Sequence, residues 1–369
     1  MQIEASQLPW LVLHLVPGMS GPRLCRLLEI RGTADALLHC SPSELITLGW
    51  SMDLAQRTVL AMRDPWGQLP ELKAIANWAA RPGNRLLTPT DDDYPAVLQK
   101  ILPDPPPVLY LRGDSALLHQ PHLAVVGSRK PSAANRRLTH DWCRELAAAG
   151  LIISSGLAKG IDAAAHRGTL AASGQTLAVL GSGLDNVYPT SHVGLVDDIL
   201  ASGGAILSEL PPDTPPYAGN FPKRNRLVAA LAEAVLVVEA AQRSGSLITA
   251  RLAAEYGREV LALPGHPHEE GSQGTNRLIQ DGAMLVDQWH NVADLFGHLE
   301  VAAAKPADQA LTDFQARVFK AIGTLPTALE TLSVTLDCPP EQLYEPLLEL
   351  EISGLVGSQG GSYVRLRGP

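Results

Sequence analysis

Short apolar segments recur at regular intervals between residues 123 and 286, and helix-forming sequence separates most of them. They lie at residues 123–126, 151–154, 176–180, 205–210, 234–238, 259–263 and 283–286. Strands that are apolar along their whole length and joined by helical crossovers are typical of a parallel sheet covered on both faces. We therefore predict an α/β fold with an extended Rossmann-like, doubly wound parallel sheet, whose ligands bind beyond the carboxyl ends of the strands.

The N-terminal part of the chain has helical periodicity instead. Residues 8–16 predict an apolar helix, and a second helix is predicted at Pro22, because proline is favoured in the first helical turn. Ser41 and Glu44 have the spacing of a capping box and predict a further helix. This pattern is typical of a SAM-like or helix-hairpin-helix module, whose hairpin amides hold a DNA phosphate, or of a helical bundle that only mediates contacts.

The C-terminal part predicts a winged helix, because three helical patterns precede two short strand-like segments. Such folds often read duplex DNA through the third helix. Here that helix lacks lysine and arginine and contains Glu341, Glu345, Glu349 and Glu351. Because carboxylates repel phosphate, we expect a protein-contact or purely structural role. The predicted domains are a helical domain at 1–66, an extended Rossmann domain at 67–298, a linker at 299–310 and a winged-helix domain at 311–369.

Composition limits the partners and the compartment. The 369 residues have a formal net charge of -9, so polyanion binding requires a local basic patch. The four cysteines are scattered without a CxxC pair, which disfavours a disulfide framework or a zinc site and fits a reducing compartment. No apolar run approaches the length of a membrane span, and the chain opens without a basic leader. We expect a cytoplasmic protein with no membrane partner and no bound metal.

The turn after the second predicted strand has the composition of an anion site. Small residues lead from the strand into a helix start, where the amides and the macrodipole favour negative charge. Glycines let a ligand approach the backbone, and Lys159 adds a positive charge. The turn either binds phosphate or is an ordinary tight turn in which Lys159 is solvated. The candidate residues are Ser155, Gly156, Lys159, Gly160 and Asp162.

Three further segments bring polar or basic residues to the same edge of the sheet. The segment after the first strand is not the GxGxxG fingerprint of dinucleotide sites, so no cofactor is predicted. The segment before residue 227 contains an aromatic ring, on which a nucleobase can stack, and several basic side chains. These side chains lie at a helix start, where the macrodipole disfavours positive charge. The segment after the fifth strand opens a helix and offers a second anion cradle. The candidates are Gly127, Ser128, Arg129, Phe221, Lys223, Arg224, Asn225, Arg226, Arg243, Ser244, Gly245, Ser246 and Thr249.

These segments occur in the order found in one protein family. Residues 127–129 (GSR), 155–162 (SGLAKGID), 221–226 (FPKRNR) and 244–250 (SGSLITA) resemble DprA, also called Smf, the DNA-processing proteins of bacterial transformation. The resemblance covers nearly the whole chain. It implies an extended Rossmann domain that binds single-stranded DNA, forms homodimers and loads the recombinase RecA onto that DNA. The family often has arginine at the position of Lys159, so the charge is kept here and the bidentate fork is not.

An enzyme acting on a nucleotide is the alternative interpretation. The related nucleoside-monophosphate phosphoribohydrolases have GGxGTxxE at residues 245–252, where Leu252 replaces their catalytic glutamate. Asp162 and His166, one helical turn apart, form either an acid–base or metal pair, or a loop-shaping carboxylate beside a packed histidine. Glu239 is either a base or a residue that orients its loop. No phosphate-binding P-loop motif supports an ATPase, and a nucleotide-sensing regulator would bind mononucleotides without preferring DNA. We predict a DNA-binding protein that is not an enzyme and has no catalytic residues.

Overall fold

A computed structural model describes residues 3–19, 21–32, 34–297, 311–323, 326–352, 355–359 and 361–365. Contacts divide the chain into two compact units, residues 1–300 and residues 301–369, and each unit has hydrophobic clusters of its own. Within the described ranges, no helix is both long and apolar enough to cross a membrane.

The first unit is built on a sheet of nine strands. In chain order they are β1 (Asn84–Leu87), β2 (Leu109–Gly113), β3 (His122–Val126), β4 (Ile152–Ser155), β5 (Thr176–Val179), β6 (Ala205–Ser208), β7 (Ala234–Val237), β8 (Glu259–Ala262) and β9 (Met284–Leu285). Their spatial order is β1-β2-β6-β5-β4-β3-β7-β8-β9. In this spatial order, the strands from β6 to β9 are parallel to one another, while β1 and β2 add an antiparallel edge next to β6. The winding direction reverses between β3 and β7, which is where such sheets open a crevice.

Helices cover the two faces of this sheet. Adjacent residues of β5 show this, because Ala178 belongs to one buried cluster while Leu177 and Val179 belong to the other. The helices are α1 (Leu8–Leu15), α2 (Gly21–Arg31), α3 (Pro42–Thr47), α4 (Met52–Arg63), α5 (Pro65–Gln68), α6 (Glu71–Ala79), α7 (Ala96–Ile101), α8 (Ala133–Ala148), α9 (Ile161–Ala171), α10 (Val193–Ala201), α11 (Asn220–Leu231), α12 (Gly245–Glu255), α13 (Glu270–Gln280) and α14 (Trp289–Leu295). Short 3-10 helices lie at Asp35–His39, Ser115–His119 and Thr190–His192.

The N-terminal helices share a buried cluster with the sheet. Leu11 and Leu13 of α1 belong to the same cluster as Tyr110 of β2. The predicted capping box is present, since the Glu44 amide donates to Ser41 Oγ at 3.4 Å and the Ser41 amide donates to Glu44 Oε2 at 2.7 Å. A separate domain at residues 1–66 and a phosphate-holding hairpin stay predictions.

Two elements depart from the sequence-based expectation. Strand β1 was not predicted, and it pairs with β2 while its buried Asn84 side chain donates to the Trp78 carbonyl at 2.8 Å. Helix α13 was not predicted either. Its Gly274 permits close packing, because a Cβ there would lie 2.5 Å from the Ala240 carbonyl oxygen. Both elements therefore depend on contacts with residues distant in sequence, which local periodicity does not report.

The second unit is a winged helix. Its helices are α15 (Asp313–Ala321), α16 (Leu329–Leu336) and α17 (Tyr344–Ile352), with a 3-10 helix at Pro340–Gln342. The strands β10 (Thr327–Ala328), β11 (Val356–Gln359) and β12 (Ser362–Arg365) form a small antiparallel sheet in the order β10-β12-β11. The acidic third helix is partly tied to its own unit, because Ser358 Oγ donates to Glu351 Oε1 at 2.6 Å and Gln315 Nε2 donates to Glu349.

Candidate nucleic-acid interface

An open crevice of about 790 Å³ lies at the carboxyl ends of the central strands of the first unit. The loops after β3, β4 and β7 and the first turns of α11 and α12 form its walls. It brings together most of the predicted site residues, namely Gly127, Ser128, Arg129, Gly156, Asp162, Phe221, Arg224, Asn225, Arg243, Ser244, Gly245, Ser246 and Thr249.

The strand order arranges these loops in a row. Strands β7, β3, β4 and β5 are consecutive neighbours in the sheet. Neighbouring strands lie about 4.8 Å apart, so the three intervals from β7 to β5 give the row a length of about 14 Å. Phe221 of α11 closes the row near β5, because a Cβ at Gly181 would lie 2.7 Å from its ring. The crevice is therefore an elongated groove with an aromatic residue at one end.

The loop after β4 is held by a buried carboxylate. Asp162 Oδ2, in the first turn of α9, accepts hydrogen bonds from the amides of Gly156 at 3.1 Å and Ala158 at 3.2 Å. Burial raises the pKa of Asp162, while the charge of Arg224 and the loop amides oppose that rise. The anion cradle expected at this turn is therefore filled from within, because these two amides already bind a carboxylate of the protein instead of a phosphate. Asp162 shapes the loop, which was one of the two roles expected for it.

Arg224 lies beneath the same loop, almost completely buried. Its Nη1 donates to the Val179 carbonyl oxygen at the end of β5. The guanidinium packs directly against Gly156 of this loop, where a Cβ would lie 2.1 Å from Nη1. Burial lowers the pKa of Arg224 to about 10, which leaves the side chain charged at neutral pH. Arg224 thus supplies positive charge from the floor of the crevice.

Glu239 joins the loops after β3 and β7. Its backbone carbonyl accepts from the Ser128 amide at 2.7 Å. Its carboxylate accepts from the Ser132 amide at 3.0 Å and from Asn135 Nδ2 at 2.8 Å, at the start of α8. The carboxylate is therefore engaged in orienting the loop, the second of the two roles expected from the sequence.

Two arginines line the crevice and face solvent. Arg129 and Arg243 are exposed, and within the described ranges neither forms a salt bridge with a carboxylate. The Arg129 guanidinium carbon lies 5.9 Å from the centroid of the half-buried Phe221 ring. A cation beside an aromatic face, with no internal counter-ion, is suited to a phosphate and a stacked base.

Several predicted residues do not line the crevice. Ser155 is buried and its Oγ donates to the Val125 carbonyl at 2.6 Å. Gly160 packs against the neighbouring loop, where a Cβ would lie 2.2 Å from Ser128 O. Lys159 and Lys223 are exposed but lie outside the lining.

Arg226 also lies outside the lining, for a different reason. Its Nη2 pairs with Glu209, and its Nη1 donates to the Asp104 carbonyl at 2.8 Å. Burial raises the pKa of Glu209, and the Arg226 charge opposes that rise. The expectation that Arg226 contacts a ligand therefore gives way to an internal ion pair. The sequence around Arg226 does not indicate these partners, because Glu209 and Asp104 come close to it only in the folded chain.

Three polar residues of the lining were missed by sequence reasoning. Gln242 lies in the segment after the fifth predicted strand, directly before Arg243, and that position was a usable signal. Glu270 and Gln273 lie on α13, which the sequence did not predict, and no local pattern pointed to them.

His166 is unsuited to catalysis in this crevice. It is fully buried outside the lining, and its Nδ1 lies 2.8 Å from Thr176 Oγ1. Burial first, and then the nearby charges of His192 and Arg224, lower its pKa to about 3. Of the two alternatives expected for His166, a member of an acid–base or metal pair or a packed histidine, its surroundings correspond to the packed histidine. In the part of the chain that the structure describes, no cluster of His, Cys, Asp and Glu could hold a metal ion.

Comparison with known proteins identifies the family. The profile of DNA recombination-mediator protein A matches residues 85–297, and that of the DprA winged helix domain matches residues 302–362. The chain belongs to the DprA family. DprA relatives include Protein Smf of Escherichia coli, which is 40% identical over 298 residues and is matched across 79% of each chain. The family consists of DNA-processing proteins, as the resemblance implied.

Solved DprA structures have the same fold. DprA of Streptococcus pneumoniae superposes with a TM-score of 0.67 at 33% identity, covering 81% of this chain and 99% of that one. DNA processing protein A of Helicobacter pylori superposes with a TM-score of 0.51 at 35% identity, covering 58% of this chain and 95% of that one. The latter structure was described for its single-stranded DNA binding mode. The Rossmann-like core and the C-terminal winged helix expected from the sequence are both confirmed.

Proposed function

We propose that this DprA protein binds single-stranded DNA in the crevice at the carboxyl ends of β7, β3, β4 and β5. The observation that carries the proposal is the combination of two unpaired arginines, Arg129 and Arg243, with the ring of Phe221 in one groove. Arginines hold phosphates, and an aromatic face accepts any base, so binding is expected to tolerate sequence and weaken with salt.

The shape of the groove favours a strand over a mononucleotide. A row of about 14 Å accommodates about four nucleotides at the B-form rise of about 3.4 Å per nucleotide. A nucleoside monophosphate would occupy only part of it. Single-stranded DNA is also what the Helicobacter pylori relative was described as binding.

We further propose that the protein is a recombination mediator and not an enzyme. Among the described residues that line the crevice, two carry a carboxylate, Asp162 and Glu270. Asp162 accepts hydrogen bonds from loop amides, which leaves Glu270 without a second carboxylate or a histidine as a catalytic partner. His166 is neutral and buried. A general acid–base pair is therefore not assembled at the groove. The family relationship supports the mediator role, in which the bound strand is protected and passed to RecA.

A homodimer is part of the same proposal. Strand β9 ends the sheet, and its two residues, Met284 and Leu285, are 40% and 48% exposed. An exposed apolar edge strand has unpaired backbone groups that can pair with another chain. We expect light scattering to give twice the chain mass, and Leu285→Lys to give the monomer mass.

The decisive experiment is an anisotropy titration of the full chain with labelled single-stranded DNA, duplex DNA and a nucleoside monophosphate. We expect preference for the single strand, loss of binding in Phe221→Ala with Arg129→Gln, and faster RecA nucleation on DNA already bound by the protein. Tight mononucleotide binding with release of free base would instead support the nucleotide-enzyme alternative.

A further inference from the structure

Tyr188 is an exposed aromatic residue beside the groove. It follows β5, and the residue is 48% exposed. Its ring centroid lies 5.5 Å from that of Phe221, and the two ring planes are inclined by 47°. Phe221 in turn contacts the Arg129 guanidinium. Tyr188 therefore continues the line of side chains that begins in the groove.

The loop that carries Tyr188 is held in place by contacts that do not involve its ring. Ser182 Oγ donates to the Asn186 carbonyl at 2.7 Å, which closes the loop on itself. Asp185 forms salt bridges with Arg81 and Arg112, both at 2.9 Å. The ring thus projects from a fixed support, and the fold does not require its burial. A rigid, solvent-facing aromatic ring on such a support loses little entropy when a ligand stacks on it.

The inference rests on the proposed function: we propose that Tyr188 is a second stacking platform, which receives the base next to the one on Phe221. The strand then leaves the groove on the β5 side. The inclination of 47° between the rings means that two bases stacked on them are not parallel, so the strand turns at this step. Because every base has a π-face, the platform is sequence-tolerant. It lengthens the binding site beyond Phe221, which closes the row of loops in the crevice.

The test measures affinity against oligonucleotide length. Oligothymidylates from about 4 to about 16 nucleotides, the usual range of single-strand site sizes, are titrated against the full chain. Variants are Tyr188→Ala and Tyr188→Phe. The matched control is Tyr344→Ala, which removes a 55% exposed tyrosine of α17 in the second unit. Melting temperatures verify that each variant is folded.

Loss of one stacked base should weaken binding of the longer oligonucleotides by about 5- to 150-fold in Tyr188→Ala. The shortest ones, which fit within the row, should bind as they do to the wild type. Tyr188→Phe should retain wild-type affinity, since stacking uses the ring and not the hydroxyl, and Tyr344→Ala should match the wild type.

Two results would overturn the platform while leaving the proposed function intact. One is wild-type affinity of Tyr188→Ala at every length. The other is an equal loss at every length including the shortest, which would mean that Tyr188 only supports Phe221. Absence of single-strand binding by the wild type at any length would instead refute the proposed function and the platform with it.

Discussion

Replacement of the two unpaired arginines of the groove should change the salt dependence of DNA binding by a calculable amount. Arg129 and Arg243 line the crevice and lack carboxylate partners within the described residues, so a phosphate is the natural counter-ion of each. On single strands, each neutralised phosphate contributes about -0.7 to the slope of log K against log salt. The double variant Arg129→Gln with Arg243→Gln should therefore have a slope shallower by about 1.4. Over a fourfold rise in salt, this corresponds to about 7-fold less loss of affinity than in the wild type.

The assay is fluorescence anisotropy with one oligothymidylate over a series of potassium glutamate concentrations. The slope is the informative quantity, because a variant that merely folds less well loses affinity at every salt concentration by a similar factor. Lys159 and Lys223 are exposed beside the groove. If they also contact phosphates, the wild-type slope reaches about -2.8, and the difference between the two proteins remains about 1.4.

Arg251→Gln provides the matched control. Arg251 lies on α12, the helix whose first turn lines the groove, but its side chain is 71% exposed and pairs with Glu255 outside the lining. Its slope should equal that of the wild type. A double variant with an unchanged slope would refute the assignment of phosphates to Arg129 and Arg243. An equal change in Arg251→Gln would mean that the slope reports overall charge and not the groove.

Three further perturbations test the internal architecture of the site. Gly156→Ala places a Cβ 2.1 Å from Arg224 Nη1, so we expect about 1–3 kcal/mol of lost stability by urea unfolding and weaker single-strand binding; wild-type values in both assays would contradict the packing. Arg226→Gln breaks the partly buried pair with Glu209 and should cost about 2 kcal/mol in the same assay while leaving the salt slope of binding unchanged, and a shallower slope would return Arg226 to the interface. Burial lowers the pKa of His166 to about 3, so the unfolded chain gains a proton below pH 6.5 that the folded chain does not; between pH 7 and pH 5 this removes about 2 kcal/mol of stability, and ring NMR showing His166 protonated at pH 5 would disprove it.

The sequence by itself predicted the parallel strands and most helices, but not β1 or α13, and it indicated the edge of the sheet at which the crevice opens. Continuous apolar segments predicted the parallel strands, and Ser41 with Glu44 predicted a capping box that is present. These features depend on residues close together in the chain, where periodicity and capping chemistry act. Glycine-rich and basic segments after the strands pointed to the crevice for the same reason, since parallel strands end at a common edge.

Only the tertiary structure decided what each candidate side chain does there. Arg224 and Arg226 stand two residues apart on one helix, yet one lies under the groove against Val179 and the other pairs with Glu209 away from it. Asp162 accepts hydrogen bonds from the amides that the sequence predicted would bind a phosphate. In each case the partner comes from another part of the fold. A buried charge requires a counter-charge or hydrogen bonds, and the packed chain, which alone brings such partners within reach, determines which charges remain free for a ligand.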